Sequence, residues 1–310
     1  MLLALLASPA AAEHHALVVT GASGDVRHAA RFNTWRASLV LALVESLGYS
    51  RERIVVLTEA SGKDSGPATA DGVASALRDL AQRTTADDTL LVVLIGHGTV
   101  FEGPDARFNL VGPDLTAAQW AAQIAPLRAR LVFVNTAAGS YEFVRTLARE
   151  GRTVISATDT SSQRYVTVFP EYFINGLVDA AADLDKDSRV SVWEAFTFAS
   201  AGVSAWFKGE GRLPTERALI DDTGDGVGRE ASGEGRDGER ARLTFLQEDA
   251  AASSDDPASA KLLAQRQSVS DAIDRLRLRR AEMPAAEYDA ELEKLLVELA
   301  RLDRELRTRP

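Results

Sequence analysis

The stretch from Thr89 to Thr99, TLLVVLIGHGT, constrains the chain more than any other. An apolar run this dense, rich in branched side chains, predicts a strand buried on both faces, as in parallel sheets covered by helices. It stops at Gly96-His97-Gly98. Ligands of open α/β sheets bind beyond the carboxyl ends of the strands, so a histidine held there between glycines is well placed for chemistry. Gly-X-Gly also serves simply to end a strand, and an ordinary loop histidine reads the same way. A second run, Arg130–Asn135 (RLVFVN), ends at Thr136-Ala137-Ala138-Gly139-Ser140, which predicts two neighbouring strand ends facing one crevice.

Other segments fit that frame. ALVVTG (16–21), RIVVLT (53–58) and TVISAT (153–158) read as further strands. Helical spacing is present at 32–47, 71–83, 115–127, 141–150 and 169–181, with 106–112 as a short excursion or hairpin. Strands alternating with helices imply right-handed crossovers and a three-layer α/β/α sandwich with a mainly parallel sheet. None of the helices is opened by a dinucleotide or Walker pattern, so a nucleotide is not expected.

The acidic stretch Asp183-Leu-Asp185-Lys-Asp187-Ser188-Arg189-Val-Ser191-Val-Trp-Glu194 carries the most specific spacing. Carboxylates fall at loop positions one, three and five, an oxygen donor at nine and Glu at twelve. This is the EF-hand pattern, in which a hard cation such as Ca2+ takes oxygens at those positions and the Arg189 carbonyl supplies another. Position six, usually Gly because the backbone turns there with positive φ, is Ser188, at a cost on the order of 1 kcal/mol. Acidic caps around a solvated turn are the plainer alternative. A weaker half-match, Asp221, Thr223 and Asp225 before Gly226, reads equally as a tight Asx/Gly turn or as a second cation site.

Segment 229–256 is polar and Gly-rich and reads as a flexible linker. Beyond it, 257–310 predicts an α-helical hairpin broken at Met283-Pro284. Its heptad seams are Leu262, Val269, Ile273 and Leu276, then Tyr288, Leu292, Leu295, Leu299, Leu302 and Leu306. Such a hairpin buries its seam internally or pairs with a partner helix or a second copy. At the other end, residues 1–12 resemble the remnant of a secretory signal, with an apolar run and an Ala-rich cleavage site before Glu13, which predicts an exported, periplasmic protein. A net charge of −10 argues against nucleic acid as a partner, and no stretch is long and apolar enough to span a bilayer. With no cysteine in 310 residues, disulfides, thiolate metal sites and a thiol nucleophile are excluded.

Taken together, ALVVTG, RIVVLT, VVLIGHG, FNLVGPDLTAAQW, LVFVNTAAGS, VISAT and the acidic loop leading into VWEAF resemble the legumain-like peptidases of the caspase fold, in particular bacterial exported relatives. The resemblance runs from Ala16 to about Gly228. It implies a caspase-like sandwich over 13–228 and a His/Cys dyad in which the thiolate attacks a peptide carbonyl. His97 is similar to the family's histidine. Gly98 corresponds to a residue whose N–H helps form the oxyanion hole. Ala138 falls at the Cys position, and a methyl cannot attack a carbonyl; loss of a nucleophile costs about six orders of magnitude in turnover. Arg27, Arg31 and the loop 159–165 lie where the family's specificity pocket would be.

Three functions follow. The first is a catalytically inactive caspase-fold protein that binds a peptide or partner chain in the crevice and is braced by calcium. The second is a working endopeptidase with His97 as base and Ser140 or Thr136 as a recruited nucleophile. The third treats the crevice as a relic and the hairpin as the working end.

Overall fold

Along each central strand the side chains alternate between two apolar layers, so every residue of the run is buried. In the computed structural model, which describes residues 12–100, 105–160, 163–248 and 256–308, Ala16 and Val18 face one core while Leu17 and Val19 face the other. The first half of the chain runs β1 (His14–Thr20), α1 (Val26–Leu41), β2 (Ile54–Thr58), β3 (Gly66–Pro67), α2 (Ala70–Arg83) and β4 (Thr89–Ile95). There follow β5 (Gly98–Val100), β6 (Ala106–Phe108), β7 (Leu115–Thr116), α3 (Ala117–Ile124), β8 (Arg130–Asn135), α4 (Tyr141–Leu147) and β9 (Arg152–Ser156). The remainder is α5 (Phe169–Gly176), α6 (Val192–Gly209), β10 (Leu219–Asp221), α7 (Glu239–Arg242), α8 (Pro257–Leu278) and α9 (Ala285–Arg307).

The sheet order is β10-β9-β8-β4-β1-β2-β3, parallel throughout except for β10, which pairs antiparallel with β9. Phe32, Trp35 and Leu39 of α1, Phe173 of α5 and Phe196 of α6 cover one face. Val73, Leu77 and Leu80 of α2, Trp120 of α3 and Phe143 of α4 cover the other. This is the three-layer α/β/α sandwich expected from the alternation. β4 and β8 are neighbours in register, Leu94 opposite Asn135, so the loops that follow them leave from one rim. The excursion after β4 is a three-stranded antiparallel sheet, β5-β6-β7.

The structure departs from the sequence reading in four places. Helix α1 starts at Val26, six residues before the apolar spacing begins, because the Asp25 carboxylate accepts from the Arg27 and His28 amides and caps it. β10 and β3, three and two residues long, are too short to carry a period-2 signal in the sequence. Helix α5 ends at Gly176 rather than at 181.

The fourth departure corrects the domain boundaries. Residues 229–248 are no flexible linker but part of the body: Arg229 and Ile220 exchange backbone hydrogen bonds, Ala241 and Leu246 are buried, and the Glu248 amide donates to the Leu47 carbonyl. Residues 249–255 lie outside the described residues, as do 1–11 with nearly all of the signal-like segment. The hairpin itself is present as α8 and α9, with Ile273, Leu276, Tyr288 and Leu302 buried and belonging to neither core of the sandwich. Among the described residues no helix is long and apolar enough to cross a membrane.

Candidate functional site

β4 delivers His97 to the rim. Its Nε2 lies 3.0 Å from the Ser23 carbonyl, which can only accept, so Nε2 carries the proton and Nδ1 is the basic nitrogen. The ring is half-buried and lies edge-on to His28 (4.8 Å between centroids) and Phe32 (5.2 Å), both on α1. His28 is itself held by Asp25, 3.2 Å away. Burial is the main reason that the His97 pKa falls below its ordinary value, with the Ser23 carbonyl opposing, so the ring is neutral at pH 7.

β8 brings Ala138 to the same rim. A Cβ on residue 98 would collide with the Ala138 carbonyl oxygen, so Gly98 is required for the two strand-end loops to approach as closely as they do. Gly139 follows in the left-handed region at φ 64°, where a side chain would also strike Val100 of β5. The structure thus gathers Gly98 and Ala138 at the rim that carries His97, and Ala138 is only 6% exposed.

Neither neighbouring hydroxyl is free. Thr136, 1% exposed, donates from Oγ1 to the Leu94 carbonyl at 2.6 Å. Ser140, fully buried, accepts the Ala157 amide at 3.0 Å and shares a hydrogen bond with Thr158 Oγ1. Both close the gap between strand ends and turn away from solvent.

A second loop stands beside Gly139 that the sequence does not announce. Gln163 lies beside Gly139 and bonds Thr215 Oγ1 at 2.9 Å. The adjacent Glu216 accepts the Val168 and Phe169 amides, capping the start of α5. Burial pushes its pKa up to about 7, against the pull of those amides and of Arg31 and Arg212. The sequence signal was faint: a lone Glu two residues after a proline. Of the specificity candidates, Arg31 stacks on Trp35 at 4.6 Å and Asp159 pairs with Arg217 at 2.5 Å.

In the acidic loop, Asp183, Asp185 and Asp187 each offer a carboxylate oxygen within 4.8 Å of the others, so the loop could hold a metal ion. Ser188 adopts φ 73°, the turn its position requires of a residue that is not glycine. Glu194 lies outside that group: its carboxylate accepts the Leu184 and Ser191 amides at 2.8 Å and closes the capping box of α6. Ser191 caps the same helix. The Arg189 side chain leaves the loop to meet Asp271 and Asp274 of α8 and lies over the Phe245 ring.

In the second acidic loop, Asp221, Thr223 and Asp225 lie in the tight Asx/Gly turn that the spacing offered as one of its two readings. Asp221 accepts the Gly224 and Gly226 amides at 2.8 and 2.7 Å, and Asp225 accepts Val227 N–H, so these carboxylates fold the turn itself.

No protein-family model matches the chain, and no curated protein does. Among 97 similar solved chains is a Geobacter sulfurreducens protein whose crystal structure was determined as a structural-genomics target. It is 13% identical with a TM-score of 0.43, over 67% of this chain and 92% of that one.

Proposed function

We propose that the chain is a catalytically inactive, legumain-like protein of the caspase fold that holds a peptide or a partner segment in the crevice between the ends of β4 and β8. One observation carries the reading: Ala138 and Gly98 meet at the rim that holds a neutral His97, where a peptidase of that kind would place its thiol. The alternative nucleophiles Ser140 and Thr136 are buried and bonded, which weighs against a working endopeptidase. The acidic loop adds Ca2+ as a bracing ion, held by Asp183, Asp185 and Asp187 with the Arg189 carbonyl, Ser191 and Glu194 as further oxygen donors. Hairpin α8–α9 is available to a partner helix or a second copy, and the signal-like start of the chain supports a periplasmic setting.

The test is a broad peptide library presented to the wild-type protein. The expected result is binding without turnover, with binding lost when His97→Trp fills the crevice. Cleavage that disappears in His97→Ala would restore the endopeptidase reading and remove this one. Ala138→Cys adds a second readout, thiol-dependent cleavage, if the crevice retains productive geometry.

A further inference from the structure

The acidic loop already has a cationic occupant, and it comes from the chain itself. The Arg277 guanidinium of α8 contacts the Asp185 carboxylate, and Arg189 of the loop reaches back to α8, 3.2 Å from Asp271 and 2.8 Å from Asp274. Arg189 is also 3.3 Å from Asp187. Two of the three carboxylates grouped in the loop are therefore engaged by the guanidiniums that join hairpin to body. A cavity of about 480 Å³ lies at this junction, lined among others by Asp185, Asp187, Arg242, Phe245, Asp274 and Arg277.

Leu184, Leu243, Phe245 and Leu278 line the same cavity, so the ion pairs sit among apolar side chains. The buried apolar residues of the hairpin, Ile273, Leu276, Tyr288 and Leu302, belong to neither core of the sandwich. What ties it to the acidic loop is charge, with Arg189 stacked on Phe245 at 3.7 Å.

We infer that this loop is the docking surface for the C-terminal hairpin, and that a divalent cation and Arg277 compete for Asp185, so that cation binding loosens the hairpin and hairpin docking weakens the cation. A guanidinium and a dication repel at such separations, and the carboxylate charge that attracts one is spent on the other. Glu194 points the same way: its carboxylate is turned onto the loop amides, and taking up a cation would draw it off them. Linkage makes the effect reciprocal: whatever factor the docked hairpin takes from cation affinity, the bound cation takes from docking.

The inference rests on the cation reading proposed above, and two measurements on the full chain separate the failures. Calcium titrations by calorimetry compare wild type with Arg277→Gln. Both partners of the Arg277–Asp185 pair are more than a third exposed (38% and 43%), so the variant folds and the gain is modest, roughly two- to fivefold tighter binding. Because the chain lacks cysteine, Glu234→Cys and Ser268→Cys place one spin label on the body and one on α8. Calcium is expected to broaden or lengthen the distance between them in the wild-type background, and to do less where Arg277→Gln has already opened the contact. Calcium that binds both proteins equally and leaves the distance unchanged overturns the competition and spares the cation site. No calcium binding to either protein overturns both.

Discussion

Glu216 makes the start of α5 sensitive to pH, and its contribution can be isolated. The side chain is 5% exposed, and its pKa rises from 4.5 to about 7 because burial disfavours the carboxylate more than two amides and two arginines favour it. The folded state thus holds the proton more tightly than the unfolded chain. Its contribution is fully present below about pH 4.5 and is lost as pH rises through about 7, above which both states are ionised. At about 1.4 kcal/mol per pH unit, the loss amounts to at most about 3 kcal/mol. Glu216→Gln keeps an oxygen for the Val168 and Phe169 amides, which share one acceptor atom, and removes the titration. Denaturant unfolding of both proteins from pH 4.5 to 8 should give curves that meet at the acid end and diverge as pH rises, the variant ending up to about 3 kcal/mol more stable. In thermal melts the gap at pH 8 should approach roughly 6 °C. Other groups raised in the fold, Asp221 and Asp274 to about 6, slope both curves alike and cancel in the difference. Parallel curves, or a gap that widens toward acid, would refute the reasoning.

Three further outcomes are expected. Chelation should lower the melting temperature by the equivalent of about 2.7 kcal/mol from a starting point of a hundredfold excess over Kd, and Asp185→Ala should not respond; equal responses would remove the cation site. Ser140→Ala should cost about 1–3 kcal/mol in unfolding experiments, because it orphans the buried Ala157 amide; an unchanged stability would mean that the hydroxyl is not structural. Gly98→Ala should cost about 1–3 kcal/mol through the clash with the Ala138 carbonyl, and a neutral result would show that the two strand-end loops are not in close contact.

How far the sequence announces this structure depends on the range of the interactions. β4 and β8 were legible because a strand buried on both faces needs an apolar residue at every position, and that pattern survives without knowledge of neighbours. The rim residues His97, Gly98 and Ala138 followed from where those strands stop. The roles of Gln163 and Glu216 do not follow in this way, since their partners, Thr215 and the Val168 and Phe169 amides, are fixed only in three dimensions. The acidic loop was legible as a pattern of carboxylates. Its engagement by Arg277, 92 residues away, was not, since an isolated arginine on a charged helix reads as a solvated face.

The segment 229–248 failed for the same physical reason, and its actual role ties the pieces together. Gly and charge in sequence suggest an unpaired chain, yet here the charges are spent on aromatic faces and backbone amides. Arg229 and Arg242 both lie over Trp193, at 4.7 and 4.4 Å, and Gly238 takes φ 97° where any side chain would strike that ring. Asp222 and Asp237 accept the amides that a polar loop would otherwise leave to water. Trp193 directly precedes Glu194 in the first turn of α6, and Arg229 is bridged to Ile220 of the edge strand. The strap therefore runs from β10 to the helix that closes the acidic loop. Packed rings and paired backbone hold that strap, a stiffer connection than the composition of the segment suggests.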